Sequence, residues 1–197
     1  MDICIVVVVV VVVISRHRFE IIMAAKTSVF YLTERLTMDT AGDFYSDTID
    51  LGAYVDVADR QGVLIHDVDF VVQGTSATEG LASAFGGSAA CVMQLTDLNR
   101  GQIVFNDDRA LIASGRMSYL TGSSFDNTAD LYPDNFGPTS AQGGRIVIND
   151  QMYFQAESSA IAANKEINVT VRIKCSVISL SQKDFMAIAL QSTAADN

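Results

Sequence analysis

Apolar and polar residues alternate at every second position through most of this chain from about residue 27 onward. The longest example has Ile167, Val169, Val171, Ile173, Cys175 and Val177 separated by Asn168, Thr170, Arg172, Lys174 and Ser176. A period of two places successive side chains on opposite faces of a β-strand, so that one face is buried and the other meets solvent. The pattern therefore constrains the chain to a fold built from half-buried strands.

Further segments with the same pattern predict a series of strands. They are Val29–Thr37, Thr48–Val57, Val63–Gln73, Ala90–Thr96, Gln102–Phe105, Ala110–Ser114, Arg116–Leu120, Arg145–Ile148 and Gln151–Glu157, followed by the long last strand. Residues 60–62 are expected to turn Thr48–Val57 back onto Val63–Gln73 as an antiparallel hairpin. In the second of these strands the predicted shared face consists of Leu64, His66, Val68, Phe70 and Val72. With the weakest neighbours merged, about eight strands remain, which favours an all-β, eight-stranded antiparallel sandwich of jelly-roll type.

The segment after the last strand has the pattern of a short helix. Ser181, followed three residues later by Asp184, resembles a capping box with Asp in place of the preferred Glu, and predicts a C-terminal helix over Phe185–Leu190. The longest stretch without a clear period is Thr121–Gly144, which holds both prolines. We expect this stretch to be an exposed loop.

The N-terminal segment, residues 1–26, differs in composition from residues 27–197, which we treat as a single β-sandwich domain. Ile3–Ile14 is wholly apolar and contains eight consecutive valines. It is too short to span a bilayer as a helix, which needs about 20 residues, and it lacks the basic start and the small-residue cleavage site of a signal peptide. We expect the mature protein to begin at Met23. The alternative is an arm that touches a membrane or adds a strand.

The chain is acidic, with 23 Asp and Glu against 13 Lys and Arg and a formal net charge of −10. Contact with nucleic-acid phosphates requires concentrated Lys and Arg, so direct binding of nucleic acid is not expected. The cysteines, Cys4, Cys91 and Cys175, are far apart and form no CxxC pair, so that neither a disulfide framework nor a zinc site is predicted. Cys91 and Cys175 are expected to lie in strands as small apolar residues.

The sequence offers little for catalysis, and we predict no catalytic residue and no cofactor. Histidine occurs only at His17 and His66, and His17 precedes the expected start. A Ser-His-Asp triad would have to use His66, whose apolar strand neighbours indicate packing. The metal sites of jelly-roll enzymes of the cupin type need several His and Glu ligands, which two histidines and five glutamates supply poorly.

Asp126, Asp130 and Asp134 recur at every fourth position of the long loop and are the candidate cation ligands of the sequence. Carboxylate oxygens suit Ca²⁺. Their spacing does not match an EF-hand loop, so solvated acidic side chains are the favoured interpretation and no metal is predicted. Asn168–Thr170 matches a glycosylation sequon, but its position inside a predicted strand argues against its use.

The closing segment Val177–Phe185, the long last strand, the expected start at Met23 and the compact acidic β domain are together typical of one group of proteins. Over roughly Ser28 to Gln191 the chain resembles the single jelly-roll major capsid proteins of icosahedral, membrane-containing double-stranded DNA viruses of archaea and bacteria. The resemblance implies a structural protein of the virion that self-assembles into the shell. The implied partners are other copies of the chain and other capsid proteins. Because the chain has no run of Lys or Arg, we expect a capsid subunit of this kind to make no direct contact with the genome, with an internal virion membrane or another protein layer between the two. The family has no catalytic residues to carry over.

Two other classes of protein stay open at the level of sequence. An exported β-sandwich binding module or surface-filament subunit has a similar fold, and a genuine signal sequence would favour it. A jelly-roll enzyme would need a pocket in which His66 meets carboxylates.

Overall fold

The computed structural model describes residues 24–121, 125–129 and 144–194. Within these ranges the protein consists of two antiparallel β-sheets packed as a sandwich, together with two helices. The strands are β1 (Ala24–Ala25), β2 (Phe30–Met38), β3 (Phe44–Asp50), β4 (Gln61–Gln73), β5 (Ala89–Thr96), β6 (Leu111–Tyr119), β7 (Phe125–Ala129), β8 (Arg145–Val147), β9 (Gln151–Ser158) and β10 (Ile167–Ser179), and the helices are α1 (Leu81–Phe85) and α2 (Gln182–Ala194). The predicted all-β sandwich with a short C-terminal helix is confirmed.

Each sheet contains five of the described strands. In sheet 1, β10 pairs with β4 on one side and with β1 and β2 on the other, and β4 also pairs with β8. In sheet 2 the order is β3, β9, β5, β6 and β7. The chain crosses repeatedly from one sheet to the other, and the order is compatible with a jelly roll, which is built from two Greek keys.

The connections 39–43, 74–88 and 159–166 meet at one end of the sandwich, which we call the Glu79 end. Met38, at the end of β2, pairs with Ile167, at the start of β10. The end of β4 lies beside the same part of β10. Connections far apart in sequence therefore become neighbours.

The connections 51–60, 97–110 and 148–150 meet at the opposite end, which we call the Arg145 end. The Leu51 N–H donates a hydrogen bond of 2.7 Å to the carbonyl oxygen of Asp150. The start of β4 lies there beside the end of β10. The two ends therefore differ in the residues that hold their connections together.

The core lies between the two sheets and confirms the alternation predicted for the last strand. The apolar residues of β10 from Ile167 to Val177 are all buried. Cys91 and Cys175 are fully buried in strands, as predicted, and this burial raises the pKa of both thiols to about 12. Both cysteines therefore stay protonated and act as packing residues.

The predicted hairpin between Thr48–Val57 and Val63–Gln73 is wrong. β3 ends at Asp50, and β3 and β4 lie in different sheets. The Asp50 carboxylate accepts a hydrogen bond of 2.8 Å from the Gly52 N–H, and such local bonds offer the backbone an alternative to the ladder of a sheet. The period-two pattern thus runs on into a loop, where Val57 is exposed.

A β-bulge in β4 interrupts the face that was predicted to be continuous. His66 is the extra residue between the pairs Lys174–Asp67 and Cys175–Ile65. One extra residue reverses the alternation of side chains. The residues of β4 that belong to the core are Val63 and Ile65 before the bulge and Val68, Phe70 and Val72 after it. The prediction that residues 64 and 66 share a face with these three later residues is therefore wrong.

Other strand predictions are corrected in their bounds. Gln102–Phe105, predicted to be a strand, is an irregular part of the connection 97–110. Ala110–Ser114 and Arg116–Leu120, predicted separately, form the single strand β6.

The C-terminal helix is longer than predicted, and it begins where the capping pattern placed it. The Oγ of Ser181 accepts a hydrogen bond of 3.2 Å from the Asp184 N–H, which satisfies one of the free N–H groups of the first turn of α2. The long predicted loop 121–144 contains β7. The valine tract, Met23 and residues 122–124 and 130–143 lie outside the described residues.

Candidate functional site

His66 lies at the bulge in β4, beside Ser176 of β10. Its Nε2 is 2.8 Å from the Oγ of Ser176. A ring nitrogen and a hydroxyl at this distance have the spacing of a general base and a nucleophile. This spacing makes the His66–Ser176 pair a candidate for catalysis.

The surroundings of the His66–Ser176 pair favour a structural role. Ser176 is buried, which keeps its Oγ away from a substrate. Desolvation lowers the pKa of His66, and the positive charge of Lys174 lowers it further, so the ring is neutral at pH 7. Among the described residues, no carboxylate is hydrogen-bonded to the ring to orient it. The pair can join β4 to β10 at the bulge, and the packing role of His66 stays a prediction that mutation can test.

Helix α2 covers an apolar cluster on the outer face of sheet 1. The cluster consists of Leu64, Ile146, Ile178, Leu180, Phe185 and Ile188. Phe185 and Ile188 come from the helix, and the first three come from strands β4, β8 and β10. Neighbouring strand residues such as Val63 and Val147 belong to the main core instead, which places this cluster on the opposite face of the sheet.

A buried ion pair joins the two sheets at the Arg145 end. Arg145 begins β8 of sheet 1 and Asp97 follows β5 of sheet 2, and the Nη2 of Arg145 lies 3.2 Å from a carboxylate oxygen of Asp97. The same nitrogen donates a hydrogen bond of 2.6 Å to the carbonyl oxygen of Arg109. The backbone carbonyl of Asp97 in turn accepts a hydrogen bond of 2.8 Å from the Asn149 amide. Three segments of chain therefore converge on this pair.

Burial raises the pKa of Asp97, and the charge of Arg145 opposes this effect. Buried charges with perturbed pKa values are a frequent mark of active sites. Here the Nη2 of the guanidinium binds Asp97 and a backbone carbonyl, whereas its Nε is buried without a hydrogen-bond partner among the described residues. The Arg145–Asp97 pair therefore connects segments of the fold.

A second ion-pair cluster lies at the Glu79 end. The Glu79 carboxylate accepts hydrogen bonds from the Nζ of Lys165, from the Ser83 hydroxyl at 2.9 Å and from the Thr75 N–H at 3.0 Å. The bond from Lys165 is the largest cause of the lowered pKa of Glu79, which is about 2. This cluster ties the connection 74–88 to the connection 159–166.

The connection 97–110 folds back over the outer face of sheet 2. The side chain of Gln94, which projects from β5 between two core residues, donates to the Val104 carbonyl at 2.7 Å and accepts from the Val104 N–H at 2.9 Å. The Ser114 hydroxyl donates to the side chain of Asn106 at 3.3 Å. The residues before and after Phe105 are thus hydrogen-bonded to sheet 2. The side chain of Phe105 itself is 87% exposed.

The three aspartates proposed as cation ligands are not brought together by anything that the structure describes. Asp126 belongs to β7, but its side chain and the whole of Asp130 and Asp134 lie outside the described residues. Within the described ranges, no group of three or more His, Cys, Asp or Glu residues could hold a metal ion.

The sequon asparagine is engaged in sheet 1. The side-chain oxygen of Asn168 accepts a hydrogen bond of 2.8 Å from the Thr37 hydroxyl, and its nitrogen donates one of 3.0 Å to the Gly74 carbonyl. Attachment of a glycan to that nitrogen would require these bonds in the folded sheet to break.

Sequence reasoning missed Arg145, Gln94 and Phe105. Arg145 begins a predicted strand, and nothing in its neighbourhood marks it as buried. Phe105 was assigned to a predicted strand, although the Asn-Asp-Asp turn that follows it was a signal of irregular backbone. The clamp by Gln94 depends on a contact across ten residues of chain and has no signature in the sequence.

Comparison of the sequence with protein-family models gives no match, and comparison with curated proteins gives none either. In the described part of the chain, neither helix has the length and hydrophobicity needed to cross a membrane. The function is therefore argued from the fold and from the surface.

Proposed function

We propose that this protein is a capsid subunit that assembles with copies of itself into the shell of a virion. The observation that carries the proposal is the two-sheet antiparallel sandwich, with a strand order compatible with a jelly roll. Jelly rolls build viral capsids, and they also occur in lectins and cupins. Because one fold can serve several functions, the surface has to support the choice.

The exposed apolar residues support an assembling role. They are Val29, Tyr31, Val57, Phe105, Leu120, Met186 and Leu190. Aromatic residues and methionine are enriched at protein–protein contacts, whereas charged residues are depleted from the centre of such contacts. Polar side chains at the two ends bind neighbouring chain segments, which fits a rigid building block.

Sedimentation velocity and electron microscopy of the purified protein test the proposal. We expect closed, symmetric assemblies whose proportion rises with protein concentration, because repeated contacts between identical subunits close by rotation. A species that stays monomeric at the highest soluble concentration, at both low and high salt, would contradict it. Open-ended fibres would favour a surface-filament subunit, since a head-to-tail contact that does not close grows into a helix.

A further inference from the structure

Strand β2 forms one edge of sheet 1. Among the described residues it pairs only with β10, over nine consecutive residues and without a bulge. The strand at the opposite edge of this sheet, β8, is only three residues long. An edge strand presents unpaired N–H and C=O groups to which a strand of another molecule can add, and a long regular edge does so more readily than a short one. By its length, β2 is therefore the edge of sheet 1 that is more open to pairing with a second copy.

Glu34 interrupts the apolar face of β2. The other residues on the inner side of this strand belong to the core or pack against it, and they are Phe30, Leu32, Leu36 and Met38. Because side chains alternate along a strand, Glu34 lies on the same side. It is half-buried and lies opposite Val171 of β10, which is fully buried. None of the ion pairs formed by the described residues includes Glu34, so a negative charge stands at the core side of this edge.

The Glu34 carboxylate also binds a backbone group of the edge strand. Its Oε1 accepts a hydrogen bond of 3.2 Å from the Arg35 N–H. This N–H would have to be released before a further strand could use it. The side chain of Arg35 is exposed and projects from the outer face of the sheet, so its positive charge lies on the other side of the strand from Glu34.

Pairing of two copies along the whole of β2 would bring their Glu34 side chains together. When two identical strands pair antiparallel about a two-fold axis, Phe30 of one copy faces Met38 of the other. Four residues of β2 precede Glu34 and four follow it, so Glu34 faces its own counterpart. Directly opposite side chains on antiparallel strands have Cβ atoms about 4.5–5.5 Å apart, and like charges there are destabilising. A register shifted by two residues places each carboxylate opposite Leu32 or Leu36 instead, where its charge would leave water without a partner.

We propose that Glu34 prevents sheet 1 of one copy from pairing edge to edge with sheet 1 of another. Inward-pointing charges are one of the means by which natural proteins protect the edges of their sheets. This inference goes beyond the proposed function and does not depend on it, because it concerns a contact that is excluded whether or not the copies assemble through other surfaces.

Amide hydrogen exchange over Phe30–Met38 tests the proposal, because it reports on the edge strand itself. Glu34→Val removes the charge and supplies a β-branched side chain that suits a strand. Pairing with a second copy protects edge amides, so exchange in this variant should slow by about tenfold or more as the protein concentration is raised. Thr33→Val is the matched control, since it adds the same side chain to the exposed face of the same strand and keeps Glu34. Its exchange should match that of the wild type.

Glu34→Lys separates the effect of charge from that of shape. Alone, this variant again places like charges opposite each other, so its exchange over Phe30–Met38 should stay as fast as in the wild type. In an equimolar mixture with the wild type, opposite charges face each other across the two strands. The segment should then be protected in both proteins, whose peptides differ in mass and can be followed separately.

The proposal is overturned if natively folded Glu34→Val exchanges like the wild type at every concentration, or if Thr33→Val gains as much protection. It is also overturned if the mixture of Glu34→Lys with the wild type is no better protected than either protein alone. Thermal unfolding shows whether each variant is folded, and the mixture decides the test if Glu34→Val does not fold. A wild type that stays monomeric overturns the proposed function alone, because the exchange is compared between variants and needs no assembly through other surfaces.

Discussion

The two ends of the sandwich are both held by an ion pair, but the two pairs lie in different surroundings. The two carboxylates are similarly covered, with Asp97 11% and Glu79 13% exposed, but Arg145 is 2% exposed and Lys165 is 36% exposed. Exposed pairs contribute little to stability because water and salt screen them. Removal of one partner from a buried pair is far more damaging, since the other charge is left without compensation. The Arg145 end should therefore be more sensitive to the loss of one charged side chain than the Glu79 end.

Arg145→Ala is expected to cause the largest loss of unfolding free energy among the substitutions that test this comparison. It leaves the Asp97 carboxylate and the Arg109 carbonyl without their donor, and the loss should be about 3–5 kcal/mol of unfolding free energy. Urea denaturation at pH 7 measures it. A loss as small as that of a typical surface substitution, within about 0.5 kcal/mol, would remove the distinction between the two ends.

The pH dependence of the Arg145→Ala variant sharpens this prediction. Burial raises the pKa of Asp97, and without Arg145 only the lesser effects of a backbone hydrogen bond and the charge of Arg100 oppose it. A carboxyl group with a raised pKa in the folded state destabilises the fold above that pKa, because the unfolded chain ionises more readily. The variant should therefore regain stability as the pH falls from 7 towards 4. In the Arg145→Ala/Asp97→Asn double variant this recovery should be absent.

Gln94→Met tests the hydrogen bonds that hold the connection 97–110 near the Arg145 end, which join the side chain of Gln94 to the backbone of Val104. Methionine fills a similar volume but leaves the N–H and carbonyl groups of Val104 without the partners that Gln94 supplies. Leaving fully buried polar groups unpaired costs about 1–3 kcal/mol, and the cost here should be smaller because Val104 is half-buried. Amide hydrogen exchange at Val104 should accelerate, whereas Gln102→Met, at an exposed position of the same connection, should leave it unchanged. Unchanged exchange in the Gln94 variant would show that the connection is held by other contacts.

Glu79→Gln should have a smaller effect, present at neutral pH and lost in acid. The pKa of Glu79 is lowered to about 2 from its ordinary value of 4.5. The contribution of a carboxylate with a lowered pKa is present above its ordinary pKa and is lost as the pH falls towards the folded value. The wild type should therefore be slightly more stable than the variant near neutral pH, and the difference should vanish towards pH 2. Added salt should reduce it as well, and a difference that grows on acidification would contradict this account.

His66→Gln is expected to have the smallest effect on unfolding free energy. His66 belongs to neither the Arg145 end nor the Glu79 end. Glutamine can still bond to Ser176, so thermal unfolding should change little and assembly should persist. The pKa of His66 is lowered by desolvation and by Lys174, so protonation is harder in the folded state, and wild-type stability should fall slightly as the pH drops below 6.5. The His66→Gln variant should not show this pH dependence. A catalytic activity that the variant loses while its fold stays intact would refute the packing role.

Several features of the fold were predictable because they follow from local pattern. The alternation from Ile167 to Val177 predicted both the last strand and the face that it buries, since a strand with one polar face has one stable orientation in a sandwich. Ser181 and Asp184 marked the start of α2 for the same reason: the bond that caps a helix joins residues three positions apart.

Pairing between distant segments was decided only in three dimensions. The alternation in Thr48–Val57 is real, yet the strand stops at Asp50, because side-chain bonds within the next turn replace the ladder and β3 finds its partner in β9. The bulge at His66 depends on how β4 aligns with β10, and a shift of one residue in that register reverses which side chains are buried.

The sequence by itself thus determined the fold class, the buried face of the last strand, the acidic surface and the C-terminal helix, because each follows from the order of neighbouring residues. The tertiary structure decided which strands are partners, that Arg145 bridges the sheets to Asp97, and that Phe105 and the apolar side of α2 lie on opposite faces. These outcomes depend on contacts between residues tens of positions apart, whose formation is governed by the packing of the whole domain and leaves no local pattern.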